Sequence, residues 1–403
     1  MSDSVQYPSS AVRQRGALGF LAFTTVSFFA ASSTPTPLYH LYQLAWGFSS
    51  GTLALVFAVY AGSLLVALLT GGSLSDHLGR RPVIFAALLL QIGSMLLFIC
   101  ASDAHWLIWA RLVQGFATGL AAGALGAALL DTDRDQGPLI NSIAPMLGMA
   151  VGALGTALLI SYAPLPLLLA YWVLLAAFVF QAIYLWRTPE TVSRMPGALK
   201  SLKPSLAVPV QARRMLWLIL PVDIAAWALG GFFLSLSPSL LAAATGSDSP
   251  LHGGIAVAAL TLSGAVSIFT LRQRAPELGL WVGAVFLALG VSVILYAVNS
   301  GTLIVFFAGA VVAGVGFGAG FLGALRMLMP LAHAHERAGL MSTFLVLSYL
   351  AFCLPALAAG YSARTFGLLA TSNVYGLVIV VLALLALAGL LLRRAGRQNN
   401  AHA

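Results

Sequence analysis

Charged side chains are scarce in this chain. Only 8% of its 403 residues are Asp, Glu, Lys or Arg, whereas a soluble globular domain carries roughly a quarter. So few charges cannot cover a water-exposed surface, and a hydrophobic content of 60% points to the bilayer as solvent. Cysteine is scarcer still. Cys100 and Cys353 lie far apart, in or beside apolar runs, and read as small hydrophobes, against a disulfide framework or a cysteine-held metal. No Gly-rich nucleotide motif with a lysine occurs, so ATP-driven transport has no support. Acids number 11 against 20 basic residues, a formal charge of +9. That excess could suggest nucleic acid, but it comes in short clusters between apolar runs: Arg13 with Arg15, Arg80 with Arg81, Arg213 with Arg214, Arg272 with Arg274, Arg393 with Arg394. Loops on one membrane face carry charge in this way.

What the chain has in abundance is apolar runs of about twenty residues, the length that crosses a hydrocarbon core. They fall at 17–42, 50–74, 82–101, 105–130, 139–161 and 165–187, and again at 215–242, 252–271, 278–298, 302–329, 339–361 and 369–392. The first follows a basic stretch as a signal peptide would, but it is longer than a signal core and has a counterpart in the second half. It reads as a spanning helix, bent where Pro35 and Pro37 occur. Between the two sets, the polar stretch 188–214 carries Pro189, Pro196, Pro204 and Pro209. The expected organisation is therefore a six-helix bundle over 1–187, a connector over 188–214 and a second six-helix bundle over 215–403: an all-α integral membrane protein.

With the N-terminus in the cytoplasm, 17 of the 20 basic residues fall on the cytoplasmic side, Arg364 falls outside, and Arg111 and Arg326 lie inside helices. A missed span would scramble this bias, so twelve helices in the cell inner (plasma) membrane with both termini cytoplasmic are expected. Two landmarks repeat at an offset of about 200 residues. Ser33 to Pro37 corresponds loosely to Leu234 to Pro238, and Gly115 to Gly119 matches Gly314 to Gly318. Two related halves place a substrate site near mid-bilayer where they meet, exposed alternately to each side by rocking.

The stretch Gly72-Ser-Leu74-Ser-Asp76-His-Leu-Gly79-Arg80-Arg81 lies between the second and third helices. Its glycines allow a turn and close helix approach, and Asp76 and Arg80 can pair across one turn. Every signature position is filled, and the stretch resembles the signature loop of the major facilitator superfamily, whose members are secondary carriers of the same twelve-helix, two-bundle (MFS) fold. The resemblance implies a conformational latch formed by Gly72, Asp76, Gly79, Arg80 and Arg81. In it the Asp faces the N-terminus of the eleventh helix, near Ala338 and Gly339, and the Arg meets an acid at the end of the fourth, here Asp131. The equivalent loop of the second half, Leu271 to Glu277, lacks the Asp and the glycines, so a symmetric second latch is in doubt. Arg111-Leu-Val-Gln114-Gly115 is similar to the family's Arg-x-x-Gln-Gly element. An intramembrane arginine is a functional candidate by default, and the alternative is that Arg111 snorkels to the outer surface. Gly148-Met-Ala-Val-Gly152-Ala153-Leu-Gly155 resembles the antiporter signature in degraded form, with Ala153 for its proline and no closing glycine pair. Small-residue helix packing explains it better, and drug-type export is favoured only modestly.

Coupling needs a group that changes protonation inside the pathway. Asp3, Asp76, Asp131, Asp133, Asp135, Glu190, Glu277 and Glu336 belong to cytoplasmic segments, and Asp103 and Asp248 to outer loops. Asp223, in the seventh helix, remains, with Trp227 at i+4 on the same face. Low dielectric favours the neutral form of a carboxyl group, and an acid beside an aromatic ring is a seat for an organic cation. The alternative is a polar residue fixing helix packing near the cytoplasmic end. Tyr39, His40 and Tyr42 read as interfacial, and the spacing of His333 and His335 is weak evidence for metal.

The leading reading is a proton-coupled carrier, an exporter before an importer, of a small organic molecule, with Asp223, Trp227, Arg111 and Gln114 as proton or substrate candidates. The alternative is a proton-coupled importer of an organic anion with Arg111 as counter-charge. A membrane enzyme or receptor would need a catalytic cluster or a sizeable soluble domain, and neither is visible. Expected partners are the substrate, protons and the lipid bilayer, with no nucleic acid, metal or cofactor; the expected state is a monomer.

Overall fold

A computed structural model describes residues 8–401 except 205, 248 and 334, with side chains from 14 to 396 apart from those and 200. Asp3 and Asp248, read above as loop acids, lie outside the described residues, as do the side chains of Arg13, Lys200 and Arg397. Among the described residues, twelve helices are long and apolar enough to span a membrane: Gln14–Trp46, Ser50–Gly71, Arg80–Ile99, Ala104–Thr132, Gly137–Tyr162, Leu169–Arg187, Val210–Ser235, Pro250–Leu271, Pro276–Ser300, Leu303–Leu331, Arg337–Phe366 and Leu368–Gly396. They are referred to below as the first to twelfth spans. All regular structure among the described residues is helical. The seventh span begins at Val210, five residues earlier than its apolar run: Pro209 precedes it in an extended conformation, and Arg213 and Arg214 carry the helix beyond the apolar core.

The repeat is written into the backbone. The first span breaks after Ser33 and resumes at Pro35–Trp46, ending on Gly47 at φ 67. The seventh breaks at Leu236 and resumes at Ser237–Thr245, ending on Gly246 at φ 66. Prolines at the start of each resumed segment cannot donate the hydrogen bond that would continue the preceding helix. The glycine landmarks are equivalent too. A Cβ on Gly115 would strike Ser63 Oγ and the Tyr60 carbonyl, and one on Gly314 would strike Ser263 Oγ and the Leu260 carbonyl. Each half thus uses the same glycine to bring its third-from-last span against its second.

The halves meet along two seams, the second span against the eleventh and the fifth against the eighth. Contacts across the seams are close at the end opposite the signature loop. Gly360 packs on Ala54, Gly254 on Ala157, Thr36 Oγ1 donates to the Leu234 carbonyl at 2.9 Å, and Ser239 Oγ bonds Gln43 at 3.1 Å. At the other end, among the described residues, no hydrogen bond runs directly from the signature loop to the second half. The connector lies between them. Met195 N–H donates to His77 O and Ala207 N–H to Gly339 O, while Ser73 Oγ donates to Ser201 O.

Candidate functional site

The signature loop forms a charged cluster against the first half. Leu74–Leu78 makes one short helix, and the chain turns at Gly79, φ 96, into the third span. Arg80 then points inward with only 8% of its surface exposed. Its Nε donates to Asp131 Oδ2 at 2.9 Å, and its Nη1 donates to Ser75 Oγ at 2.7 Å and to the Asp76 carboxylate. The loop thus brings Asp76, Arg80 and Asp131 together. Arg81 lies over the Trp186 ring, 5.0 Å from its centroid. Among the described residues the Asp76 side chain bonds only Arg80, and the Gly339 carbonyl bonds the connector instead.

Glu190, read from the sequence only as a cytoplasmic acid, completes this cluster. Its two carboxylate oxygens accept the backbone N–H groups of Arg80 at 2.8 Å and Arg81 at 3.0 Å, capping the third span. A Cβ at position 79 would lie 2.9 Å from Glu190 Oε2, so glycine is required there both for its positive φ and for this approach. In the second half, Arg326 at the end of the tenth span does a similar task with carbonyls, donating to Leu271 O at 3.3 Å and Arg274 O at 2.8 Å.

Arg111 is fully buried rather than snorkelling. Nε donates to Tyr39 Oη at 2.8 Å, Nη1 to Ser32 O at 2.8 Å and to Gln114 Oε1 at 2.6 Å, and Nη2 to the same Tyr39 hydroxyl. The Tyr60 ring covers the guanidinium at 4.8 Å, and Gln114 Nε2 anchors the set to Ala31 O at 2.9 Å. The interfacial reading of Tyr39 and Tyr42 is therefore corrected. Both are buried, Tyr42 bonding Tyr171 at 3.2 Å, because the break before Pro35 turns this stretch of the first span back into the bundle, where Arg111 needs an acceptor.

Asp223 lies halfway along Val210–Ser235 and is fully buried. Ser348 Oγ, on the eleventh span, donates to Asp223 Oδ2 at 2.8 Å and lies 3.0 Å from its own Phe344 carbonyl. Trp227, one turn on, turns its buried indole Nε1 to the Asp223 carboxylate, close enough to interact with it but outside normal hydrogen-bond geometry, so Asp223 Oδ1 has no bond of normal geometry. Around Trp227 stand Tyr349, Phe352 and Phe321, with ring centroids at 4.9, 5.6 and 5.7 Å. Phe352 in turn meets Phe57 of the second span at 4.9 Å, so the aromatic cluster touches the seam between the halves. A buried carboxyl group with one oxygen free of any bond of normal geometry, walled by rings, can hold a proton or an organic cation. Gly148 and Gly152 pack on the first span around Val26 and Ala30, and the rings of His333 and His335 stack 6.0 Å apart.

The family profile described as Major Facilitator Superfamily matches residues 21–354. The curated proteins similar to this chain include the multidrug resistance protein MdtL of Citrobacter koseri, 30% identical over 112 residues, and that of Klebsiella pneumoniae subsp. pneumoniae, 32% identical over 115 residues. Each match covers 26% of this chain and 29% of the relative, so the similarity spans less than a third of either protein. Among solved structures, the human organic anion transporter MFSD10 has TM-score 0.67 at 19% identity, covering 94% of this chain and 100% of that one. The nucleoside transporter NupG has TM-score 0.69 at 13% identity, covering 93% and 98%. Both share the fold.

Proposed function

Because the chain belongs to the Major Facilitator Superfamily, and is thus a multi-pass membrane transporter of a small-molecule substrate, we propose that it exports a small organic cation in exchange for protons. Asp223 is the group the two ligands share. The observation that carries this reading is the buried carboxyl of Asp223, held by Ser348 and the Trp227 indole and set beside the Phe321, Tyr349 and Phe352 rings. Ser348 suits both protonation states. With its O–H turned to Asp223 it stabilises the carboxylate; with that O–H turned to the Phe344 carbonyl its oxygen can accept from the protonated acid. A cation on the aromatic cluster favours the carboxylate, a proton removes the charge that attracts it, and the two therefore bind in alternation.

Export is supported by the partial similarity to proteins named for multidrug resistance. Anion import through Arg111 is the weaker reading, since four of that side chain's five N–H donors are already engaged by Tyr39, Ser32 and Gln114. In the proposed cycle both termini and the connector are cytoplasmic, and the two halves, 1–187 and 215–403, rock about the seams. Asp76, Arg80 and Asp131 secure the cytoplasmic side in one state. Asp223→Asn in proteoliposomes tests the core of the reading: pH-driven accumulation is lost while passive, pH-independent exchange persists. A variant that still builds a substrate gradient from a pH gradient refutes it.

A further inference from the structure

At the end of the bundle opposite the signature loop, the seam between the second and eleventh spans opens outward into a cavity of about 540 Å³. Gly51, Thr52 and Leu55 form one wall, and Leu357, Ala358, Tyr361 and Arg364 the other. Gly360 draws the two helices together behind it, resting on Ala54 and the Ser50 carbonyl. The lower walls are apolar and exposed: Leu55 and the neighbouring Leu354 show 45% and 55% of their surface. On a membrane-spanning helix such side chains face acyl chains.

The upper rim is different. Arg364 runs its aliphatic stem over Gly51, and its guanidinium has no hydrogen bond or ion pair to any described residue, nor does the Tyr361 hydroxyl. Among the described residues the basic side chains gather at the other end of the bundle, and apart from buried Arg111 this is the one Lys or Arg here. Seven residues separate Leu357 from Arg364, about 10 Å along a helix. That is a polar head level above an apolar slot, with a cation and a phenol at the top.

We propose that this groove binds an anionic phospholipid of the adjacent leaflet, its phosphate on Arg364 and Tyr361 and one acyl chain between Leu55 and Leu357. Charge complementarity selects the headgroup, because an arginine without an acid partner among the described residues is matched best by a phosphodiester whose charge no headgroup ammonium offsets. The groove lies on a seam that parts when the halves rock, so a lipid bridging both walls holds this end closed.

The test uses full-length protein in proteoliposomes containing photoactivatable phosphatidylglycerol or photoactivatable phosphatidylcholine at equal fraction, with crosslinks mapped by peptide mass spectrometry. In the native protein, residues 51–55 and 357–364 should crosslink phosphatidylglycerol about fivefold more than phosphatidylcholine, the factor one basic residue contributes near an anionic surface. Arg364→Gln should remove that preference. Leu55→Trp, which fills the slot and keeps the charge, should lower crosslinking of phosphatidylglycerol at both segments and tests the groove independently of the arginine. Equal crosslinking by the two lipids in the native protein, or a preference that survives Arg364→Gln, overturns the proposal; so does undiminished crosslinking in Leu55→Trp, which would leave a surface charge without a site.

Discussion

Glu190 offers the most quantitative perturbation. Its carboxylate accepts two backbone N–H groups, from Arg80 at 2.8 Å and Arg81 at 3.0 Å, at the positive end of the third span, where an anion is favoured. Hydrogen bonds to a charged acceptor contribute about 1.5–3 kcal/mol each when shielded. Glu190 is exposed, so water replaces much of this in the variant. A range of about 1–2 kcal/mol for Glu190→Ala, like that of other helix caps, follows. Glu190→Gln keeps an acceptor but loses the charge, and should fall near half that loss. Gly79→Ala introduces backbone strain at φ 96 and ψ 153, about 1–3 kcal/mol, and a Cβ 2.9 Å from Glu190 Oε2. Removing Glu190 relieves the contact but not the strain, so the double variant should be less destabilised than the sum of the two singles. Reversible unfolding in mixed detergent–dodecyl sulfate micelles measures all four variants. An Ala variant within about 0.3 kcal/mol of the native protein, or strictly additive energies, would refute the cap.

Other outcomes follow from the same contacts. Asp76→Asn should be produced and fold normally yet transport slowly, because Asp76 is half exposed and its loss changes a state-dependent contact more than packing; wild-type flux in a folded variant would remove its latch role. Tyr39→Phe deletes the hydroxyl that takes two N–H groups of buried Arg111 and should lower stability by about 1–3 kcal/mol, more than Tyr42→Phe, which breaks one bond between two hydroxyls; equal effects in the same unfolding assay would contradict this. A cysteine at Ser201, on the connector, should resist membrane-impermeant thiol reagents in intact cells and react in inverted vesicles, and labelling from outside would reverse the topology.

The twelve spans were legible because bilayer solvation imposes one crude requirement, about twenty apolar residues, that any stretch either meets or fails. Local motifs were legible too: Asp76 and Arg80 are one turn apart, and Pro35 marks the bend of the first span, whereas the matching break before Pro238 was read only as part of a repeat. What composition could not reveal is which polar group meets which across the fold. Glu190 lies more than a hundred residues from the N–H groups it caps, and Tyr39 lies 72 from the arginine it serves. A tyrosine near a span end has an interfacial reading by default, and only the helix break beside it turns it inward. Ser348 and Tyr349 carried no signal at all, since serine and tyrosine are unremarkable in an eleventh span until Asp223 is placed against them.

The most direct measurement of the central claim is proton release on substrate binding. Purified protein in weakly buffered detergent solution, titrated with a candidate lipophilic cation while a pH indicator is followed, should release a proton for each cation bound near the pH at which Asp223 titrates. Asp223→Asn should still bind the cation but without acidifying the solution. Unchanged proton release from Asp223→Asn, or cation binding by the native protein with no proton release at any pH across the titration range, would contradict the account.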